Sequence, residues 1–145
     1  MQKSCAPAPP ALGHRLRILL ADDHAYMLRS LRQFLEPDFE VVGEVSDGEE
    51  LKRMARELAP ELIVTDISMP KLSGLEAAKQ ILAERPGTRV IFLTVHNDPE
   101  LVRHSLAIGA GAYVLKSHAS TELINAITQV TSGHVYVSPA IQGHR

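Results

Sequence analysis

Five times along the chain, a short apolar run rich in β-branched or aromatic residues gives way to a stretch where apolar positions recur every three or four residues. The runs are 16–21, 39–45, 61–65, 89–94 and 112–116, each too short for an independent helix and each suited to a buried strand. After the first, Tyr26, Leu28, Leu31, Phe34 and Leu35 keep helical spacing until Pro37. After the second, Asp47 suits the cap of a helix reaching about Leu58, which Pro60 closes. The third is followed by a loop through Lys71 and a helix from about Gly74 to Glu84, ended by Pro86-Gly87. Asp98-Pro99 opens the fourth helix with a cap and a first-turn proline, and Gly109 suits its end. Ser120 or Thr121 is expected to cap the last, which reaches about Ser132.

Strands that alternate with helices across short connections pair in parallel, and such a sheet must be covered on both faces. The fold class is therefore α/β, a doubly wound domain with five parallel strands. It is expected to span 15–133. Residues 1–14, where Pro7, Pro9 and Pro10 block helix and ladder alike, read as a disordered Pro/Ala-rich extension. Residues 134–145 read as a C-terminal tail or the start of a linker. A length of 145 residues fits one domain with a real core, and a net charge of −2 points to no basic nucleic-acid surface. The lone cysteine, Cys5, excludes a disulfide framework. There is no long apolar span and no signal-peptide pattern, so a cytoplasmic protein with no membrane partner is expected.

The chemistry gathers at strand ends. Asp22 and Asp23 follow the first run, Asp66 the third, Thr94 ends the fourth and Lys116 the fifth. Open α/β sheets bind ligands beyond the carboxyl ends of their strands, so these five groups are expected in one crevice. Taken singly each has an ordinary use: a helix cap for the aspartates, a strand position for Thr94, solvent for Lys116. Their joint placement at four strand ends favours a site. Three neighbouring carboxylates repel, by roughly 3 kcal/mol per pair at about 5 Å and an effective dielectric near 20. A divalent cation removes that repulsion, and hard oxygen ligands suit Mg²⁺. His24 and His96 are read as flanking the site.

These residues, with Thr-Asp66-Ile-Ser-Met-Pro70 and Gly74 behind it, resemble the receiver domain of two-component response regulators. Ala21-Asp-Asp-His24, Gly109-Ala-Gly-Ala-Tyr-Val-Leu-Lys116 and Gly133-His-Val-Tyr-Val-Ser-Pro139 resemble its NarL/FixJ (LuxR-type) branch. The resemblance implies the flavodoxin-like (βα)5 strand order 2-1-3-4-5. It also implies that Asp66 is the phosphoacceptor, becoming an aspartyl phosphate, with a sensor histidine kinase as donor and Mg²⁺ as cofactor. Asp23 and Asp66 would then be direct metal ligands, with Asp22 acting through water and the Ser68 carbonyl completing the protein set. Lys116 and Thr94 would stabilise the phosphoryl group. Thr94 and Tyr113 would form the switch that alters the surface of helix four, strand five and helix five. The implied protein is not an enzyme beyond its own phosphorylation and slow dephosphorylation.

Members of that branch usually carry a helix-turn-helix domain next, which implies transcription control by the full-length form and homodimerisation on phosphorylation. The chain ends at Arg145, so an isolated receiver without DNA binding of its own is expected here. A stand-alone receiver acting by protein contact is the alternative. A haloacid-dehalogenase-type phosphatase is more remote, because Ser68 stands where its second aspartate is needed. Many receivers have proline after the lysine in a cis bond; residue 117 is Ser, and a trans bond is expected. Ser68, Val95 and His96 border the approach of a hydrolytic water, and branched Val95 is expected to slow it, with His96 as the rival.

Overall fold

The computed structural model describes residues 15–141, so the expected extension at 1–14 lies outside the described residues. The order of elements is β1 (Arg17–Ala21), α1 (Ala25–Leu35), β2 (Glu40–Val45), α2 (Gly48–Leu58), β3 (Leu62–Thr65), α3 (Gly74–Glu84), β4 (Arg89–Thr94), α4 (Pro99–Ala107), β5 (Ala112–Leu115), α5 (Ala119–Thr131) and β6 (Tyr136–Val137). The strands form one sheet in the order β2-β1-β3-β4-β5-β6, and every neighbouring pair is parallel.

Alternation along the strands divides the core. Ile18 and Leu20 of β1 join Val64 of β3 and Leu93 of β4 under α1 and α5, where Leu31, Leu35, Leu123 and Ile127 are buried. Leu19 and Ala21 face the other way, with Ile63, Phe92 and Tyr113, under α2, α3 and α4. Removing each large aliphatic side chain from water contributes roughly 1.5–3 kcal/mol, which is why such short strands hold together. Two helix starts carry the caps the sequence suggests. Asp47 accepts from the Glu50 amide at 2.8 Å and Asp98 from the Glu100 amide at 3.0 Å, with Pro99 in the first turn. Ser73 caps α3 by accepting from the Glu76 amide at 3.0 Å. Gly109 takes φ 105 just after α4, a conformation that favours glycine.

Three expectations change. The sheet has six strands, not five, because Tyr136–Val137, in the stretch read as tail or linker, pairs with β5. Two residues leave too short a pattern to read as a strand, and the pairing depends on the free edge of β5. In α1, Leu28, Leu31 and Leu35 are buried, but Tyr26 and Phe34 are exposed; Tyr26 lies off the stripe that meets the sheet. Neither Ser120 nor Thr121 caps α5. A 3-10 turn at Lys116–His118 leads into a helix that begins at Ala119, before both of them. No peptide bond among the described residues is cis, so Lys116 and Ser117 are joined in trans as expected.

One contact fixes the loop after β3. The Gly74 amide donates to the Ile67 carbonyl at 2.6 Å, and a Cβ on Gly74 would sit 1.7 Å from the carbonyl oxygen of Asp66. No side chain larger than hydrogen fits without moving that backbone. Gly74→Ala is expected to cost about 1–3 kcal/mol, in the range of overpacked interiors, and to displace Asp66. Chemical denaturation reads the loss; unchanged stability would mean the loop yields freely.

Candidate functional site

The carboxyl ends of β1, β3 and β5 open on one side of the sheet, and their loops converge there. The Asp66 amide donates to the Ala21 carbonyl at 3.0 Å, which ties the end of β3 to that of β1. Its Oδ1 accepts from the Ile67 amide at 2.7 Å and weakly from Ser68 at 3.4 Å, while Oδ2 accepts from Lys116 Nζ at 2.9 Å. The same ammonium reaches Asp22 Oδ2 at 2.7 Å. Asp22 is held in turn: its amide donates to Val45 at 3.0 Å, and its Oδ1 accepts from the His24 amide at 2.9 Å. Asp22 and Asp66 are 1% and 5% exposed, so Lys116 balances two buried carboxylates rather than sitting in solvent.

Asp23 stays exposed at the rim, with His24 Nδ1 at 3.2 Å from its Oδ1 and 3.0 Å from that of Asp22. One ligand atom from each of Asp22, Asp23, His24 and Asp66 falls within 4.8 Å of the others. Carboxylate oxygens dominate this set, and hard oxygen donors fit Mg²⁺, which coordinates few protein groups and keeps its waters.

Thr94, fully buried at the end of β4, accepts from the His96 amide at 3.3 Å. His96 then links two neighbours. Its Nε2 lies 3.0 Å from Ser68 Oγ, and its carbonyl accepts from the Tyr113 hydroxyl at 2.7 Å. Val95, between them, is 69% exposed.

The structure thus brings Asp22, Asp23, Asp66 and Lys116 together. It sets Thr94 at the end of β4 and Ser68 on the loop after β3, beside them, and connects Tyr113 through His96. His24 and His96, read as flanking residues, are in direct contact with the set. His24 touches its own neighbours Asp22 and Asp23, whereas His96 reaches Ser68 from 28 residues along the chain, a contact that spacing could not reveal. Helix capping is not the role of Asp22 and Asp23, since α1 has His24 at its N-cap with no side-chain cap.

The family model described as "Response regulator receiver domain" matches residues 18–128. The chain belongs to that family. The receiver is 34% identical over 130 residues to the transcriptional regulatory protein DegU of Brevibacillus brevis, covering 88% of this chain and 55% of that protein. It is 38% identical over 130 residues to the transcriptional regulatory protein LiaR of Bacillus subtilis, covering 88% and 62%. Among solved structures, a LuxR-family two-component response regulator from Aurantimonas sp. superimposes with a TM-score of 0.83 at 32% identity, covering 88% of this chain and 93% of that one. The isolated receiver domain of RcsB from Salmonella enterica serovar Typhimurium, solved with phosphomimetic BeF3⁻, gives a TM-score of 0.81 at 28% identity over 88% and 96%. The receiver spans 55% and 62% of the length of the two curated relatives. It is a response-regulator receiver domain homologous to transcription regulators, in the doubly wound receiver fold. Among the described residues, no helix is long and apolar enough to cross a membrane.

Electrostatics follow from this packing. Burial pushes the Lys116 ammonium down, but hydrogen bonds and charge from Asp22 and Asp66 outweigh it, and its pKa is raised. Burial, with the Asp98 and Asp66 charges, pushes the Tyr113 phenol up to about 12. Both shifts favour the protonated form in the fold. Their contribution is complete below the ordinary values, about 10 for both residue types, and is lost as pH rises through the folded ones. An absorbance titration of tyrosinate is expected to show a component near pH 12 that Tyr113→Phe removes. Ionisation of every tyrosine with a midpoint near the ordinary value of about 10 would contradict that burial. Lys116→Ala is expected to lower thermal stability, and Mg²⁺ to restore part of it. Two buried carboxylates without a cation are the reason.

Proposed function

We propose that this receiver accepts a phosphoryl group on Asp66 from a phosphohistidine of a sensor kinase. The observation that carries the reading is the Asp66 carboxylate itself, held by the Ile67 amide on Oδ1 and by Lys116 on Oδ2 beside two more acidic side chains. A carboxylate oxygen attacks phosphorus, the P–N bond of the donor breaks, and the imidazole leaves with a proton. Bound Mg²⁺, held by Asp23 and Asp66 directly, by Asp22 through water and by the Ser68 carbonyl, would supply charge that offsets the developing negative phosphoryl oxygens. Lys116 shares its ammonium with those oxygens, and the Thr94 hydroxyl donates to one of them.

Recruiting Thr94 alters its loop, because the His96 amide now depends on that hydroxyl and the Tyr113 phenol on the His96 carbonyl. The surface of α4, β5 and α5 therefore shifts population when Asp66 is modified. Where an output domain is joined to the receiver, this surface controls it, and the transcription-regulator names of the relatives support such a role. A solved RcsB structure has two dimers bound to two parallel DNAs, and that likeness supports homodimerisation of this receiver on phosphorylation. With 15 basic against 17 acidic side chains the chain has no cationic excess to favour DNA, so no specific DNA binding of its own is expected. The phosphatase reading has no acid to use: Ser68 stands two residues after Asp66, with its hydroxyl against His96.

Asp66→Asn is expected to abolish labelling by acetyl phosphate. Asp23→Ala is expected to cut Mg²⁺-dependent labelling at least tenfold, a change of about 1.4 kcal/mol or more, while circular dichroism stays native. Full labelling of Asp66→Asn overturns the assignment. The lifetime of the phosphoryl group depends on access of water past Ser68 and His96. His96 spans that approach, whereas the Val95 side chain faces solvent. His96→Ala should therefore change the decay rate several-fold and Val95→Ala little. The opposite ranking would return the role to Val95.

A further inference from the structure

Residues 134–141 do not trail away from the domain; they lie along the open edge of β5. The Tyr136 amide donates to the Gly111 carbonyl at 3.0 Å and the Ser138 amide to the Tyr113 carbonyl at 2.9 Å. Ser138 is fully buried, and its hydroxyl is used twice, accepting from the Leu115 amide at 3.0 Å and donating to Glu122 Oε1 of α5 at 2.6 Å. Ile141, 3% exposed, belongs to the same apolar cluster as Tyr113, Val102 and Leu115. Asn97 Nδ2 reaches the Ala140 carbonyl at 3.4 Å. The segment is thus tied to β5, α5 and the loop after β4 at once.

That loop is the one through which Thr94 acts. Between Thr94 and α4 it carries the His96 amide on the Thr94 hydroxyl, the His96 carbonyl on the Tyr113 phenol, and the Asn97 side chain on the segment. Movement of the loop bears on the Asn97 contact with Ala140 and, through the His96 carbonyl, on Tyr113, which shares an apolar cluster with Ile141. A strand of two residues is marginal alone, so its docking is poised to respond to a small displacement. We propose that residues 134–141 form a strap, pinned by Ser138 and Glu122, that is docked on β5 while Asp66 is unmodified and loosens when it is phosphorylated. The proposal rests on Asp66 as phosphoacceptor and adds the element by which its state reaches whatever follows residue 141. By linkage, weakening the strap favours the modified state to the same degree that modification weakens the strap.

Amide hydrogen exchange of the 145-residue chain, with and without beryllium fluoride and Mg²⁺, tests this. The mimic is expected to lower protection of the Tyr136 and Ser138 amides at least tenfold, while β1 and β3 keep theirs. Ser138→Ala and Glu122→Ala should each lower the same protection without the mimic and tighten beryllium fluoride binding several-fold. Two variants are used so that neither result depends on one side chain. Mimic binding that leaves the strap equally protected, or variants that loosen it without changing mimic affinity, overturn the coupling alone. Failure of the mimic to bind at all overturns the reading of Asp66, and the coupling with it.

Discussion

A single ammonium between two buried carboxylates is the constraint on which the rest depends. Lys116 lies 2.7 Å from Asp22 and 2.9 Å from Asp66, and each aspartate ends a different strand. Buried charges are costly unless paired and hydrogen-bonded, and removing one member typically costs about 3–5 kcal/mol. The three side chains therefore hold β1, β3 and β5 in mutual register at their carboxyl ends. They also leave an acidic site whose charge is only partly balanced. A cation or a phosphoryl group can exploit that imbalance, because the same ammonium that stabilises the resting site is free to be shared with incoming oxygens.

The surroundings make this arrangement precise without making it rigid. Gly74 lets α3 press against the carbonyl of Asp66, fixing that residue from behind. In front, the loop after β4 is held by side-chain hydrogen bonds, from Thr94, Ser68 and Tyr113, rather than by a packed core. Such contacts exchange partners at small free-energy cost compared with repacking apolar side chains, for a net hydrogen bond is worth only about 0.5–1.5 kcal/mol. Fixed chemistry on one side and an adjustable loop on the other is what a switch between two populations requires.

Much of this was legible in the sequence because strand ends are marked by abrupt changes in polarity. The run into Asp66, the bounds of β4 and α3, and the caps Asp47 and Asp98 all follow from local pattern and local hydrogen bonding. The convergence of Asp22, Asp23, Asp66 and Lys116 followed from the rule that parallel sheets gather function at their carboxyl ends. What escaped was non-local. His96 meets Ser68 from 28 residues away, Ser138 is buried because β5 offers an edge, and Tyr136–Val137 is too short to announce a strand. Tyr26 and Phe34 show the reverse error, as apolar residues near a helical stripe need not lie on it.

These charges are proposed to select one carboxylate for phosphorylation. The most direct measurement is mass-spectrometric mapping of the chain after incubation with acetyl phosphate, with and without Mg²⁺. One added phosphoryl group is expected, on the peptide containing Asp66, dependent on Mg²⁺ and removed by hydroxylamine. Modification at another residue, or equal modification of Asp66 without the metal, would contradict it.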